Sequence, residues 1–506
     1  MAKKNIHFLV AGCAIALFVV LPLTEGLSAP NAIIGLDPGT TYQTFTGWEA
    51  TTQVGQWECA GFDSYKNALF DQAVDDLGIN RLRVEIKSDI ENTVDYFSQW
   101  RAGQLTFAEW KTHWYESVND NSDPYTINAS GFQFSELDDK IDRVVLPLKQ
   151  RVEANGEHLF ISVNYVDFGP SSFEHKEHPE EYGELVLAVY QHLQWRYGWV
   201  PDSWEVILEP DTGSASWSAA QIRDAVGAAG ARLQSNGYTP RFIAPSTTDA
   251  THAVPYFDQI ATAGNLPYLM ELSYHRYGGV SDTVLQQIGA RAAQSGVGAS
   301  MLEHIASGYE DLHKDLKLAN VSAWQEYTLA FCTTDDGAQY YYVQNVTELH
   351  MGSRTRFLRQ YMKFIRAGAV RIQAGSDTGS LDPVAFINSN GKYVVVVKAS
   401  QGGSFAVQGL PAGVYGIKYT TNNQYDVDLP DATLNGAQEL NTSIPEQGVI
   451  TIYAKSTTAQ TPSPVPTGPS ITPSPTIEPQ GTPNYLPLII AKTNKLSPIS
   501  KLRPNG

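Results

Sequence analysis

Two apolar runs in this sequence end on glutamate: "EVILEPDTG" (205–213) delivers Glu209, and "SMLEH" (300–304) delivers Glu303. Two carboxyl groups facing each other across a bound sugar can divide the work of breaking a glycosidic bond. One protonates the leaving oxygen and the other attacks the anomeric carbon. That division needs surroundings that push the two acid strengths apart. A single glutamate at a strand end is more often a rim charge, and Glu205, Glu271, Asp211 and Glu310 also sit near strands or their loops. The pair is the informative feature. Around it, "SYHRYGG" (273–279) sets His275 and Tyr277 two residues apart, so both can face one side of a strand. A hydroxyl from Tyr277 could hold Glu303 ionised, whereas His275 taken alone reads as a core histidine. Arg83 could place a positive charge beneath Glu303 or close a salt bridge inside the fold. Trp324 could floor a sugar site or pack in the core.

These groups need a scaffold that gathers strand ends at one place. Eight strand-like segments, each followed by a helical pattern, supply one. "TFTGWEA" leads to a helix near 64–77, "NRLRVEI" to one near 135–154, "HLFISVNY" to 179–197, and "SWEVILE" to 218–236. "RFIAPS" leads to 252–263, "YLMELSYH" to 281–295, "GASMLEH" to 309–318, and "VSAWQEYT" to 353–366. Eight such units predict an α/β fold, a (β/α)8 TIM barrel over 44–367, with its active site at the C-terminal ends of the strands. No Gly-rich phosphate loop follows any strand, which argues against nucleotide binding. After Gly368 the apolar period changes to two, with turns such as Asn390-Gly391. Residues 368–455 therefore predict a side antiparallel β-sandwich, and 30–43 predict a strand that joins it.

The chain has 506 residues with 53 acidic and 35 basic side chains, a formal charge of −18. That balance, with no basic run in the folded part, predicts no nucleic-acid partner. Aromatic residues make up 11% of the chain, which suits sugar stacking and equally suits a large core. Lys3 and Lys4 precede an apolar run from Phe8 to Leu23, and small residues near Ser28 offer a cleavage point. Residues 1–29 thus read as a signal peptide of a secreted protein. From 456 onward the sequence is rich in Ser, Thr and Pro, which predicts an unfolded linker and tail. Its short apolar patch and basic end read either as a cell-surface attachment signal or as a disordered terminus.

The segments resemble those of glycoside hydrolase family 30, a family of retaining (β/α)8 glycosidases. "YQTFTGWEA", "NRLRVEI", "EVILEPD", "SYHRY" and "MLEH" occur in the family's order. "FIRAGAVRIQAGSDTGSLDPVAFINSNGKYVVVV" (364–397) is similar to its crossing into a side β-domain. The resemblance covers roughly residues 33–455. It implies Glu209 as acid/base, Glu303 as nucleophile, and Arg83, His275, Tyr277 and Trp324 as subsite residues. It further implies a retaining hydrolysis of a β-glycosidic bond in a carbohydrate substrate, with no metal or organic cofactor. A monomer is expected.

Two departures stand out. The residue before the acid/base is Leu208, where the family's clan usually carries an asparagine that bonds the sugar 2-OH. Asn164, in "SVNYVDFGP", is the neighbouring amide that could take its place. Alternatively, the −1 sugar lacks a free 2-OH, or the protein has become a weak enzyme or a surface glycan-binding protein. The insertion 88–135 carries Tyr96, Phe97, Trp100, Trp110, Trp114, Tyr115 and Tyr125. These rings either wall a cleft or fold the insertion onto the barrel, and "QYYYVQN" (339–345) is a second candidate wall. Finally, Cys59 follows the first strand and Cys332 the eighth. Barrel closure makes those strands neighbours, so the two cysteines are expected to form a disulfide.

Overall fold

The computed structural model describes residues 32–457 apart from Pro170, Ser214 and Ala437. The expected signal peptide and the tail beyond 457 lie outside the described residues. β1 (Ile33–Thr44) precedes the barrel. The barrel strands are β2 (Gly47–Thr51), β3 (Arg81–Lys87), β4 (Phe160–Val166), β5 (Ser203–Glu205), β6 (Phe242–Asp249), β7 (Leu269–Gly278), β8 (Gly298–Glu303) and β9 (Val321–Phe331). Each pairs in parallel with the next, and β9 pairs with β8 on one side and β2 on the other, closing the ring. Helices return the chain between strands, as at Pro179–Tyr197 and Ala219–Ser235. The second of these starts on a capping box, in which Ser218 and Gln221 each satisfy the other's backbone N–H.

Alternate residues on each strand face opposite ways. Tyr165, Trp204, Tyr274, Met301 and Trp324 point outward into the large apolar core shared with the helices. The inward set differs from the branched apolar layers usual in such barrels. Glu49, Arg81, Arg83, Ser162, Asn164, Glu205, Glu271, Ser273, Ser300 and Gln325 are all buried. So much polarity in a barrel interior is costly unless paired, and the pairing turns out to be uneven.

β5 is shorter than "SWEVILE" predicts. Its pairing stops at Glu205, but Val206, Leu208 and Glu209 still donate backbone hydrogen bonds to Ile243, Tyr165 and Ser246 at 3.0–3.2 Å. Those bonds fix the path of the chain up to Glu209. The stretch "QYYYVQN" is not a free wall. It forms β10 (Gln339–Gln344), which extends β9 in parallel and is itself edged by β11 (Glu348–Met351). Tyr340 and Tyr341 are fully buried there. The Tyr340 hydroxyl donates to the Glu49 carbonyl at 3.0 Å and accepts from the Glu326 N–H at 2.8 Å.

The side domain is a nine-stranded sheet. After β1 it contains β12 (Val370–Ser376), β13 (Leu381–Ile387), β14 (Tyr393–Ala399), β15 (Gly403–Gln408), β16 (Gly413–Thr421), β17 (Val427–Leu434), β18 (Leu440–Ile444) and β19 (Gly448–Thr457). The order is β17-β16-β19-β14-β13-β12-β1-β15-β18. β1 pairs antiparallel with β12 and parallel with β15, so the strand before the barrel completes the domain after it. Phe405, Leu440 and Ile444 from one end of the sheet share an apolar core with Ile417, Ile450 and Ile452 from the other. The sheet therefore faces itself as a sandwich.

Cys59 and Cys332 form a disulfide, with Cα atoms 5.6 Å apart. It lies where β2 and β9 meet, beside hydrogen bonds from Leu329 and Ala330 N–H to the Gln53 carbonyl. Gly55 packs under it at φ +74°, and a Cβ there would come within 2.2 Å of the Cys59 sulfur. No other residue type fits that turn.

Candidate active site

The interior side chains stack in rings. In the lower ring the Arg81 guanidinium sits 4.2 Å above the Phe160 ring. It bonds both Glu271 oxygens, at 2.7 and 2.8 Å, and also the Glu49 carboxylate. A planar fork between two carboxylates is well matched, and the cluster is sealed from solvent.

One step up β3 lies Arg83, also fully buried. Its Nη2 bonds Glu303 Oε2 and, at 3.0 Å, Glu85 Oε1, while Nη1 donates to the Leu302 carbonyl at 3.2 Å. Period two on "RLRVEIK" puts residues 81, 83 and 85 on one face, a signal that would have brought Glu85 into the site. Level with Arg83, other polar groups are unpaired. Neither carboxylate oxygen of Glu205, neither amide atom of Asn164, and neither Arg83 Nε nor His275 Nε2 has a hydrogen-bond partner. Asn164 and Glu205 are register partners across β4 and β5. Burial pushes the Glu205 carboxyl up to about 7, against the opposing pull of Arg83 and His275.

At the top, Glu303 ends β8 and Glu209 follows β5. His275 Nδ1 contacts Glu209 Oε1 at 2.9 Å. The Tyr277 hydroxyl donates to Glu303 Oε1 at 3.0 Å and accepts from the Ile305 N–H at 3.3 Å. Burial and the Glu303 charge raise the Tyr277 pKa well above the ordinary phenol value, so it stays a donor. Both Glu303 oxygens are therefore bonded, one by a cation and one by a phenol. One oxygen of Glu209, one of Glu303 and one nitrogen of His275 all lie within 4.8 Å of each other. That spacing could also hold a cation, but Arg83 and Tyr277 already occupy both oxygens of Glu303. Glu209 itself has φ 51°, a left-handed backbone unusual outside glycine. Tyr327, on β9, lies close enough to Glu303 and Glu85 for their charges to raise its pKa beyond the effect of burial.

The structure thus brings Glu209, Glu303, Arg83, His275 and Tyr277 together, and it moves Trp324 away. Trp324 does not floor the site. It is buried on the outer side of β9, where its Nε1 donates to Asp315 at 3.0 Å. A register shift between β8 and β9 decides which β9 residues face inward, and it leaves Gln325 inside instead. Asn164 is wholly buried and pairs in register with Glu85 on one side and Glu205 on the other. The insertion's tryptophans do not form platforms. Trp100 and Trp110 stack on each other at 4.6 Å, and Phe97 and Trp57 pack edge-on to Trp110. The ammonium of Lys87 lies over the Trp110 and Trp114 rings. These rings fold the insertion. Tyr277 and Phe168 are the large rings near these strand ends that stay exposed, at 39% and 38%. Phe168 stands edge-on to Tyr115 at 5.9 Å.

No protein-family model matches the sequence, and no curated protein matches it either. Solved structures do. The catalytic domain of a glycoside hydrolase family 30 xylanase C from Talaromyces cellulolyticus superposes with a TM-score of 0.64 at 15% identity, covering 84% of this chain and 100% of that one. A family 30 subfamily 8 xylanase from Clostridium acetobutylicum gives 0.60 at 17%, covering 84% and 99%. An endo-β-1,6-glucanase gives 0.58 at 15%, covering 85% and 96%. The fold of this chain resembles that of family 30 structures.

Proposed function

We propose that this chain is an exported, retaining β-glycoside hydrolase that cleaves a polysaccharide or oligosaccharide by double displacement. The observation that carries the proposal is that one oxygen of Glu209 and one of Glu303 lie within 4.8 Å of each other, on carboxyl groups with unlike partners. Retaining enzymes hold their carboxyl groups roughly 5–5.5 Å apart, whereas inverting enzymes leave room for a water.

Glu303 is the nucleophile. Arg83 and Tyr277 hold its two oxygens and aim it while it attacks the anomeric carbon. Glu209 gives its proton to the leaving oxygen as the glycosyl–Glu303 bond forms. It then takes a proton from water, which attacks the same carbon and releases Glu303 with configuration retained. His275 orients Glu209 through Oε1, leaving the other oxygen for the sugar. Structural neighbours named as xylanases and an endo-β-1,6-glucanase support a polysaccharide substrate. Phe168 and Tyr277 offer ring faces to it. Leu208 is 6% exposed and its side chain offers no hydrogen bond, while the buried Asn164 amide beside Glu205 has no partner. The 2-OH of the −1 sugar is therefore substituted, absent, or bound by another group, for which Tyr327, within reach of the Glu85 and Glu303 charges, is the candidate.

The test is turnover on xylan, β-1,6-glucan and other β-linked glycans, with NMR of the first-formed anomer. Wild type should release the β-anomer first and Glu303→Gln should be inactive. Glu209→Ala should still form the glycosyl–Glu303 intermediate from aryl β-glycosides with good leaving groups, since that step needs no acid, and then stall until azide is added to take the place of the activated water. First release of the α-anomer would overturn the retaining reading. Binding of a glycan with no cleavage across the panel would make the chain a glycan-binding protein.

A further inference from the structure

Away from the catalytic face, three carboxylates meet where the insertion lies against the helix Pro179–Tyr197. Glu181 and Glu184, one turn apart, share a face of that helix, and Asp120 comes from the insertion. One oxygen from each lies within 4.8 Å of the others. Glu184 is 1% exposed and Glu181 8%. Four buried oxygens have no hydrogen-bond donor, namely Asp120 Oδ1, Glu181 Oε2 and both of Glu184. The remaining oxygens are committed outside the cluster. Asp120 Oδ2 accepts from the Asn128 N–H at 2.5 Å, and Glu181 Oε1 from Asn119 Nδ2 at 3.2 Å. Arg232 stands 4.0 Å from Glu184, but the same Nη2 is spent on the Pro124 carbonyl. With all three acids ionised, one guanidinium leaves two negative charges for a cation to meet. Bare carboxylates do not stay ionised in such a place without a partner.

We propose that Asp120, Glu181 and Glu184 form a binding site for a divalent cation, Ca2+, that clamps the insertion to the barrel. The donors are all hard oxygens, with no thiol or imidazole among them, which selects against zinc and copper. Ca2+ accepts six to eight oxygens in adaptable geometry, including both oxygens of one glutamate, with water filling the rest. Mg2+ demands a tighter octahedron and sheds its waters reluctantly. The charge left over by Arg232 equals that of one divalent ion. The site does not depend on the glycosidase reading, because its ligands are not those of the catalytic centre.

The experiment uses the full chain, stripped with chelator and desalted. CaCl2 and MgCl2 are titrated separately, followed by calorimetry and by thermal melting. One Ca2+ should bind per chain and raise the Tm by several degrees, with Mg2+ binding more weakly. Glu184→Gln should weaken Ca2+ binding by roughly 100-fold and remove the Tm shift. Should that buried variant fail to fold, Asp120→Asn at the loop edge should still weaken binding by roughly 10-fold. The proposal is overturned if neither metal gives binding heat or a Tm shift, if Mg2+ is preferred, or if Asp120→Asn binds Ca2+ as wild type does.

Discussion

The two polar rings inside the barrel use the same residue types at the same burial, and they are satisfied differently. In the lower ring Arg81 is bonded by Glu49 and both oxygens of Glu271, so most of its hydrogen-bonding capacity is met. In the upper ring Arg83 shares one nitrogen between Glu303 and Glu85, while Glu205, Asn164, Arg83 Nε and His275 Nε2 go without partners. Each unmet buried group costs about 1–3 kcal/mol. The lower ring is thus built to hold the barrel shut. The upper ring keeps unmet polarity directly beneath the two carboxylates, which is where a chemical site departs from the most stable arrangement.

The largest expected effect comes from cutting one glutamate in each ring. Glu303→Gln removes the proposed nucleophile, so kcat should fall by roughly 10^4-fold or more, with little loss of stability. Glu271→Gln leaves Arg81 buried with half its pairing, so urea unfolding should show a loss of about 3 kcal/mol, while the folded fraction keeps its kcat. Equal stability losses, or a catalytic collapse in Glu271→Gln, would erase the distinction between the rings.

Glu205 sharpens it further through pH. Its carboxyl is raised to about 7 in the folded chain by burial, above the ordinary value near 4.5. A proton held more tightly in the folded state stabilises fully below 4.5, and that stabilisation is lost as pH rises through about 7. The unfolding free energy should therefore drop by about 3 kcal/mol across this window. Glu205→Gln, which cannot titrate, should flatten that part of the curve. A wild type and a variant running parallel from pH 4.5 to 8 would show that Glu205 is already ionised in the fold.

Much of this was legible in the sequence, and the reasons differ residue by residue. Glu209, Glu303, Arg83, His275 and Tyr277 could be placed because strand-then-helix units repeat and strand ends converge in a closed barrel. Trp324 could not, because β9 is buried on both faces and its phase is set by register shifts against β8 and β2. Asn164 was legible as an inward residue but not as one without partners, since satisfaction depends on atoms from other strands. The insertion's tryptophans were legible as aromatic and not as mutually stacked. β17 is hard to read because its polar, mostly exposed residues carry little apolar alternation, and β18 because it is five residues long with only Leu440 and Ile444 apolar. The Asp120 cluster was invisible because its acids lie more than sixty positions apart across the insertion and a helix.

The smallest effect tests the backbone. Glu209 and Ser246 carry φ 51° and 55° and are joined by the Glu209 N–H to the Ser246 carbonyl, whereas Glu49, Arg81 and Glu271 all have negative φ. Left-handed backbone costs a residue with a Cβ about 1 kcal/mol, and glycine escapes that cost. Replacing Glu209 removes the same side-chain contacts whether the new residue is alanine or glycine, so their difference isolates the backbone. Glu209→Gly should be more stable than Glu209→Ala by about 1 kcal/mol in urea unfolding. In the lower ring, at Glu49, the order should reverse, with glycine about 1 kcal/mol worse than alanine in a strand. Alanine winning at both positions would mean that Glu209 is held without strain. The upper ring's departure from an ordinary barrel would then lie in its unmet side chains alone.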